Sequence, residues 1–193
     1  MHVGHLLAAE TAREELQLTE VMFIPAGAPW MKEGQLHAVA EDRVAMVKLA
    51  VGLRKVFTMS RLEVDRSGPS YTVDTLEILK QSRSAEELYL ILGMDAFLEM
   101  PRWREPERVV ELAQIVVARR PGYGAAEGAG VDAMLSRFPG LQSRLHLLHG
   151  PAIDISATDI RLRVMEGRSI RYLVPEAVQT YIHWRGLYTA AKA

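Results

Sequence analysis

Glu87-Leu-Tyr-Leu-Ile-Leu-Gly-Met-Asp95 is the stretch that decides the fold. Leu88 to Leu92 is an unbroken apolar run, where a half-exposed strand would alternate with polar residues. Such a run fits a strand buried on both faces, the pattern of a parallel sheet covered by helices. Gly93 stops it, and Asp95 then stands at the strand's carboxyl end. Outward in both directions the same unit recurs. Glu20–Ile24, Val56–Met59, Gln114–Ala118 and Leu145–Leu148 are short apolar runs. Between them lie segments with helical spacing: Leu6–Leu18, Ala40–Leu53, a helix opening at Ser70–Asp74 with Ser70 or Thr72 as its cap, Pro106–Leu112 and Val131–Phe138. Two final helices follow, the last starting at Pro175, a favoured first-turn position. Alternating strands and helices predict an α/β fold with a mainly parallel sheet. Arg61–Arg66 is expected to be extended, and the Gly- and Ala-rich residues 122–130 to form a flexible surface segment. No internal repeat or linker interrupts the chain, so residues 1–193 read as one domain, with C-terminal helices from about 156.

The chain opens on a helix, so the strand that should feed that helix is not in the sequence. The expectation is a sheet with two bared strand edges.

Composition narrows the function. The chain has 193 residues, about half of them apolar, and a formal net charge of −1. That is enough for one well-buried core, and it gives no overall electrostatic case for nucleic acid or an anionic membrane. Cysteine is absent, which excludes disulfides, thiolate catalysis and cysteine-ligated metals. No apolar run approaches a membrane span and no signal peptide opens the chain, so a cytoplasmic protein is expected.

In parallel α/β sheets, ligands sit beyond the carboxyl ends of the strands. Two helix starts there have phosphate-binding character. His2-Val-Gly-His5 puts two imidazole donors and a glycine, which allows close backbone approach, at a helix N-terminus with unpaired N–H groups. Ser156-Ala-Thr158-Asp-Ile-Arg161 resembles a capping box, with Ser156 at the cap and a guanidinium one turn on. Lys32 follows the first visible strand and can reach an anion, Asp95 can bind ribose hydroxyls, and Trp103 offers a flat face for stacking. There is no GxxxxGK[ST] loop and no nucleophile elbow, and His37, His146, His149 and His183 lack metal-ligand spacing.

Together these segments resemble the nucleotidylyltransferase superfamily, and within it bacterial nicotinate-nucleotide adenylyltransferase. His2-Val-Gly-His5 matches the HxGH signature. Phe23–Pro29 with Lys32 looks like the FIPxxxPPHK loop, with Trp30-Met31 in place of Pro-His. Glu63–Leu76 (EVDRSGPSYTVDTL) is nearly the family's ExxRxGxSYTxDTL. Leu92–Asp95, the Trp103 segment, Arg120-Pro-Gly122 and Ile155–Arg161 (ISSTxIR in the family) follow in order. The resemblance implies a Rossmann-like three-layer sandwich and adenylyl transfer from ATP to nicotinate mononucleotide with Mg²⁺, in NAD biosynthesis. It implies that His2, Gly4, His5, Ser156, Thr158 and Arg161 bind ATP, with His2, His5 and Arg161 at the chemistry. Lys32, Thr72, Asp95 and Trp103 would hold the nicotinate nucleotide, with Mg²⁺ carried by the ATP phosphates rather than by side chains. A homo-oligomer is compatible with the sequence.

Family members carry a strand and a GGTFDP-like loop ahead of HxGH, and this sequence shows neither, so impaired folding and activity are expected of the 193-residue chain. In-frame coding sequence upstream of Met1 would test whether the start is assigned too late. Two other readings are transfer to nicotinamide mononucleotide, against which SYTxDTL counts, and a non-catalytic nucleotide-binding protein.

Overall fold

A computed structural model of the protein describes residues 1–28, 38–52, 54–119 and 125–189. Helix α1 (Val3–Glu15) leads to strand β1 (Val21–Phe23), then α2 (Ala40–Val51), β2 (Phe57–Met59), α3 (Thr72–Ser82) and β3 (Tyr89–Gly93). The chain continues through α4 (Met94–Glu99), α5 (Pro106–Leu112), β4 (Gln114–Ala118), α6 (Ala125–Arg137), β5 (Leu145–Leu147), α7 (Ala157–Met165) and α8 (Glu176–Trp184).

Every strand pairing among the described residues is parallel. β1 lies beside β2, with Val21 opposite Phe57, and a second sheet runs β3-β4-β5, with Tyr89 opposite Gln114 and Ile115 opposite Leu145. Side chains alternate across the second sheet as the two-residue strand period requires. Ile115 and Val117 join Leu90 and Leu92 in the main core under α3, α4, α5 and α6, around the fully buried Met94, Phe97, Met100 and Leu141. Val116, with Tyr89 and Ile91, faces the other way onto Ala12 and Leu16 at the end of α1. The result is helix, sheet and helix in three layers, which explains why both faces of β3 and β4 are apolar. A third cluster joins α2, α7 and α8 through Met46, Ile160, Ile170, Val178 and Ile182.

The sheet is in two parts. One edge of β1 and one edge of β3 line a cleft of about 840 Å³ and have no ladder partner among the described residues.

Several local expectations need correction. Residues 61–66 form a turn, not an extended piece. Asp65 N–H bonds to Arg61 C=O at 2.9 Å, and the Arg61 guanidinium bridges Asp65 and Glu41. These local bonds outcompete strand pairing. Neither Ser70 nor Thr72 caps α3. Tyr71 is the N-cap, Thr72 is the first helical residue, and the Ser70 hydroxyl is taken by the distant Gly27 and Ala28. Of residues 122–130, expected to form a flexible surface segment, 122–124 lie outside the described residues and 125–130 belong to α6, because alanines favour helix and Gly130 lets it pack against Leu98. α1 begins at Val3 rather than Leu6, and Pro175 is the N-cap of α8, one residue outside the helix.

Candidate active site

His2 is the N-cap of α1, with extended backbone, and is 7% exposed. His5, one turn on, returns to it: His5 Nδ1 accepts the His2 backbone N–H at 3.3 Å. The two imidazoles stack with centroids 3.7 Å apart, tilted by 31°. Gly4 suits this stack, since a Cβ there would stand 3.0 Å from His2 Nδ1 and press on the ring. The start of the helix is pinned by Val3 N–H donating to Leu173 C=O at 3.0 Å.

α7 supplies the second helix start. Its N-cap Ser156 accepts the Asp159 N–H at 3.0 Å, as the capping pattern predicts. Arg161 donates to the Thr158 hydroxyl at 3.0 Å, so hydroxyl and guanidinium share one turn. Ile155, just ahead of Ser156, lines the cleft and packs in the same apolar cluster as Val3. That cluster brings the two positive helix ends to one side of the molecule, and such ends favour anions.

The third contribution comes from α3. Thr72, in its first turn, lines the cleft with His2, Gly4, His5, Ile24 and Gly93. Asp95 is exposed in the first turn of α4, two residues beyond Gly93, and is not in the cleft wall. Trp103 is half-buried against the main core and also outside the wall. Its neighbour Arg104 ties this segment to α3, with Cζ 4.9 Å from the centroid of the Tyr71 ring and Nη1 3.7 Å from Asp74. Of the residues singled out from sequence, His2, Gly4, His5 and Thr72 therefore share one cleft. Ile155 is in its wall, while Ser156, Thr158 and Arg161, which follow Ile155, are not, and neither are Asp95 and Trp103. Lys32 lies outside the described residues.

The wall also holds residues to which sequence reasoning gave no role. Glu63 lines the cleft beside Thr72 and Thr75. Burial pushes its carboxyl above the ordinary range, opposed by the Thr75 hydroxyl, which donates at 2.8 Å, and by the charge of Arg66. Arg66 in turn donates to Thr75 Oγ1 at 3.3 Å. Glu63 and Arg66 both sit in the stretch that carries the family resemblance, which was the available signal. Arg119, just after β4, lines the same cleft. At the opposite end of the cleft, Arg83 joins Glu20 at 3.0 Å, and Glu20 also accepts from Thr58.

Residues 1–163 match the family model described as cytidylyltransferase-like. The chain belongs to the cytidylyltransferase-like family. Every site residue named from sequence, from His2 to Arg161, falls inside the matched span. Among curated relatives it is 48% identical over 190 residues to a probable nicotinate-nucleotide adenylyltransferase of Roseiflexus sp. (strain RS-1), covering 97% of this chain and 92% of that protein. A protein of the same description from Thermomicrobium roseum is 42% identical over 193 residues, covering 100% of this chain and 88% of the relative. The fold is shared with the Plasmodium falciparum nicotinic acid mononucleotide adenylyltransferase solved with NaAD. That match has a TM-score of 0.78 at 16% identity and covers 97% of this chain and 91% of the other. No helix among the described residues is long and apolar enough to cross a membrane.

Proposed function

We propose that the chain, acting as a single nucleotidylyltransferase domain, transfers the adenylyl group of ATP to nicotinate mononucleotide, giving deamido-NAD and pyrophosphate. A phosphate oxygen of the acceptor attacks the α-phosphorus of ATP, and the bond from that phosphorus to the bridging oxygen of the β-phosphate breaks. No enzyme nucleophile is needed, so catalysis reduces to alignment and stabilisation of charge. The observation that carries the reading is the convergence of the α1 and α7 N-termini, with His2, His5, Ser156 and Arg161 on them, beside the cleft that Thr72 lines.

The stacked imidazoles at the start of α1 donate to the α-phosphate oxygens as charge builds in the transition state, helped by the partial positive charge of the α1 N-terminus. Ser156, Thr158 and Arg161 hold the β- and γ-phosphates that leave as pyrophosphate. Lys32 adds a cation near the phosphate of the nicotinate nucleotide. Thr72, Asp95 and Trp103 place that nucleotide, with its ring on the face of Trp103. No cluster of three or more His, Cys, Asp or Glu among the described residues could hold a metal ion. Mg²⁺ enters this reading with the ATP phosphates, where it would neutralise charge.

The test is pyrophosphate release from ATP and nicotinate mononucleotide by wild type and by His5→Ala. Removing one charge-stabilising donor should cut turnover by at least about 10²-fold. Near-normal turnover in the variant would remove His5 from the mechanism.

A further inference from the structure

Arg43, in the first turns of α2, serves three backbone carbonyls with one guanidinium. Its Nη1 donates to Ala38 C=O at 2.5 Å, its Nη2 to Ala26 C=O at 2.5 Å and to Gly27 C=O at 2.6 Å, and its Nε to Ala26 C=O at 3.2 Å. Only arginine's planar fork can meet acceptors in this spread. The same short peptide is held from the other side. The Ser70 hydroxyl accepts the Gly27 and Ala28 N–H groups, each at 3.1 Å, and Ala28 C=O accepts Ser70 N–H at 3.0 Å. Gly27 is pressed so closely on Glu63 that a Cβ would stand 2.0 Å from its carbonyl oxygen. Ala26–Ala28 therefore locks the end of β1, and with it Ile24, to the segment carrying Glu63, Ser70 and Thr72. Ile24, Glu63 and Thr72 are wall residues of the cleft.

We infer that Arg43 is a positioning residue for the acceptor nucleotide: with Ser70 it clamps Ala26–Ala28 and so sets the spacing between the β1 end and the start of α3. This rests on the proposed function, in which Thr72 faces the nicotinate nucleotide. The clamp's hydrogen bonds reach neither α1 nor α7, although Ala38 shares the apolar cluster of Val3 and Ile155, so its loss should move the acceptor side far more than the ATP side.

Steady-state kinetics of Arg43→Met and Arg43→Lys test this, because a merely structural role would not separate the two substrates. In Arg43→Met the KM for nicotinate mononucleotide should rise about tenfold, on the scale that small misplacements cost. The KM for ATP and kcat should stay within about twofold. Lysine, a point donor that can meet fewer of the carbonyls, should restore part of the loss. Equal movement of both KM values, or movement of neither, overturns the inference. If wild type makes no deamido-NAD, the functional reading fails, and the clamp is then read by amide hydrogen exchange. Gly27 and Ala28 should exchange at least about tenfold faster in Arg43→Met and Ser70→Ala than in wild type. Unchanged exchange there overturns the clamp itself.

Discussion

Asp42→Ala removes the charge that fastens the C-terminal helix to α2. The Asp42 side chain is 6% exposed and accepts from Tyr181 Oη at 2.8 Å and from Arg185 Nε at 3.0 Å, both on or just beyond α8. Hydrogen bonds to an ionised group contribute about 1.5–3 kcal/mol each. The buried carboxylate's own desolvation offsets part of this. Arg185, 45% exposed, recovers water when its partner goes, which lowers its share further. The net loss should be about 2–3 kcal/mol, or a fall in Tm of roughly 5–10 °C for a domain of this size. Asp42→Asn, which keeps the acceptor and loses the charge, should fall between.

Burial alone would push the Asp42 carboxyl up, but the bonds from Tyr181 and Arg185 outweigh it and hold the group below the usual carboxylate range. A depressed folded pKa means the stabilisation is complete above the unfolded value near ~3.9 and disappears as pH falls through the lower folded one. Urea unfolding of wild type and variant should therefore show a constant gap from pH 5 to 8 that closes only below about pH 4. A gap under about 0.5 kcal/mol at pH 7 would refute the reasoning, as would one that persists unchanged at strongly acid pH.

Three further outcomes follow from the same geometry. Gly27→Ala would drive a Cβ into the Glu63 carbonyl, so a stability loss of about 1–3 kcal/mol in denaturant melts is expected, with a raised KM for the acceptor. Glu63 has its folded pKa raised by burial, so the folded state holds the proton more tightly than the unfolded one. Wild type should lose stability as pH rises from the unfolded value near ~4.3 through the raised one, and Glu63→Gln should flatten that slope in the same pH series. Ser156→Ala removes the acceptor of the Asp159 N–H and should cost about 1 kcal/mol of stability in a thermal melt. Its KM for ATP should rise while the KM for the acceptor does not.

The parts legible in sequence share a property: their signal is local. β4 spans Gln114–Ala118 and α5 spans Pro106–Leu112, both as their patterns predict, because an unbroken apolar run and a Pro-led helical repeat each state their own burial. Ser156 caps α7 because its partner, Asp159, is three residues away. Ser70 failed as a predicted cap because its partners, Gly27 and Ala28, lie 43 and 42 residues away, and no window of sequence contains both. Arg43 escaped for the same reason, since backbone carbonyls leave no residue pattern to match. In the site, His2, Gly4 and His5 emerged because one motif brings a helix start with its ligand groups, and Thr72 because the Glu63–Leu76 stretch carries the family resemblance. That Asp95 and Trp103 stay out of the cleft wall depends on the packing of α4 and the segment after it against the main core, which no short window of sequence states.

The most direct measurement of the central claim is product analysis after the chain is incubated with Mg²⁺, ATP and either nicotinate or nicotinamide mononucleotide. The account predicts deamido-NAD and pyrophosphate in equal amounts from the nicotinate nucleotide, with no ADP, and much slower turnover of the nicotinamide nucleotide. ADP in place of pyrophosphate, preference for the nicotinamide nucleotide, or no product above an enzyme-free blank would contradict it.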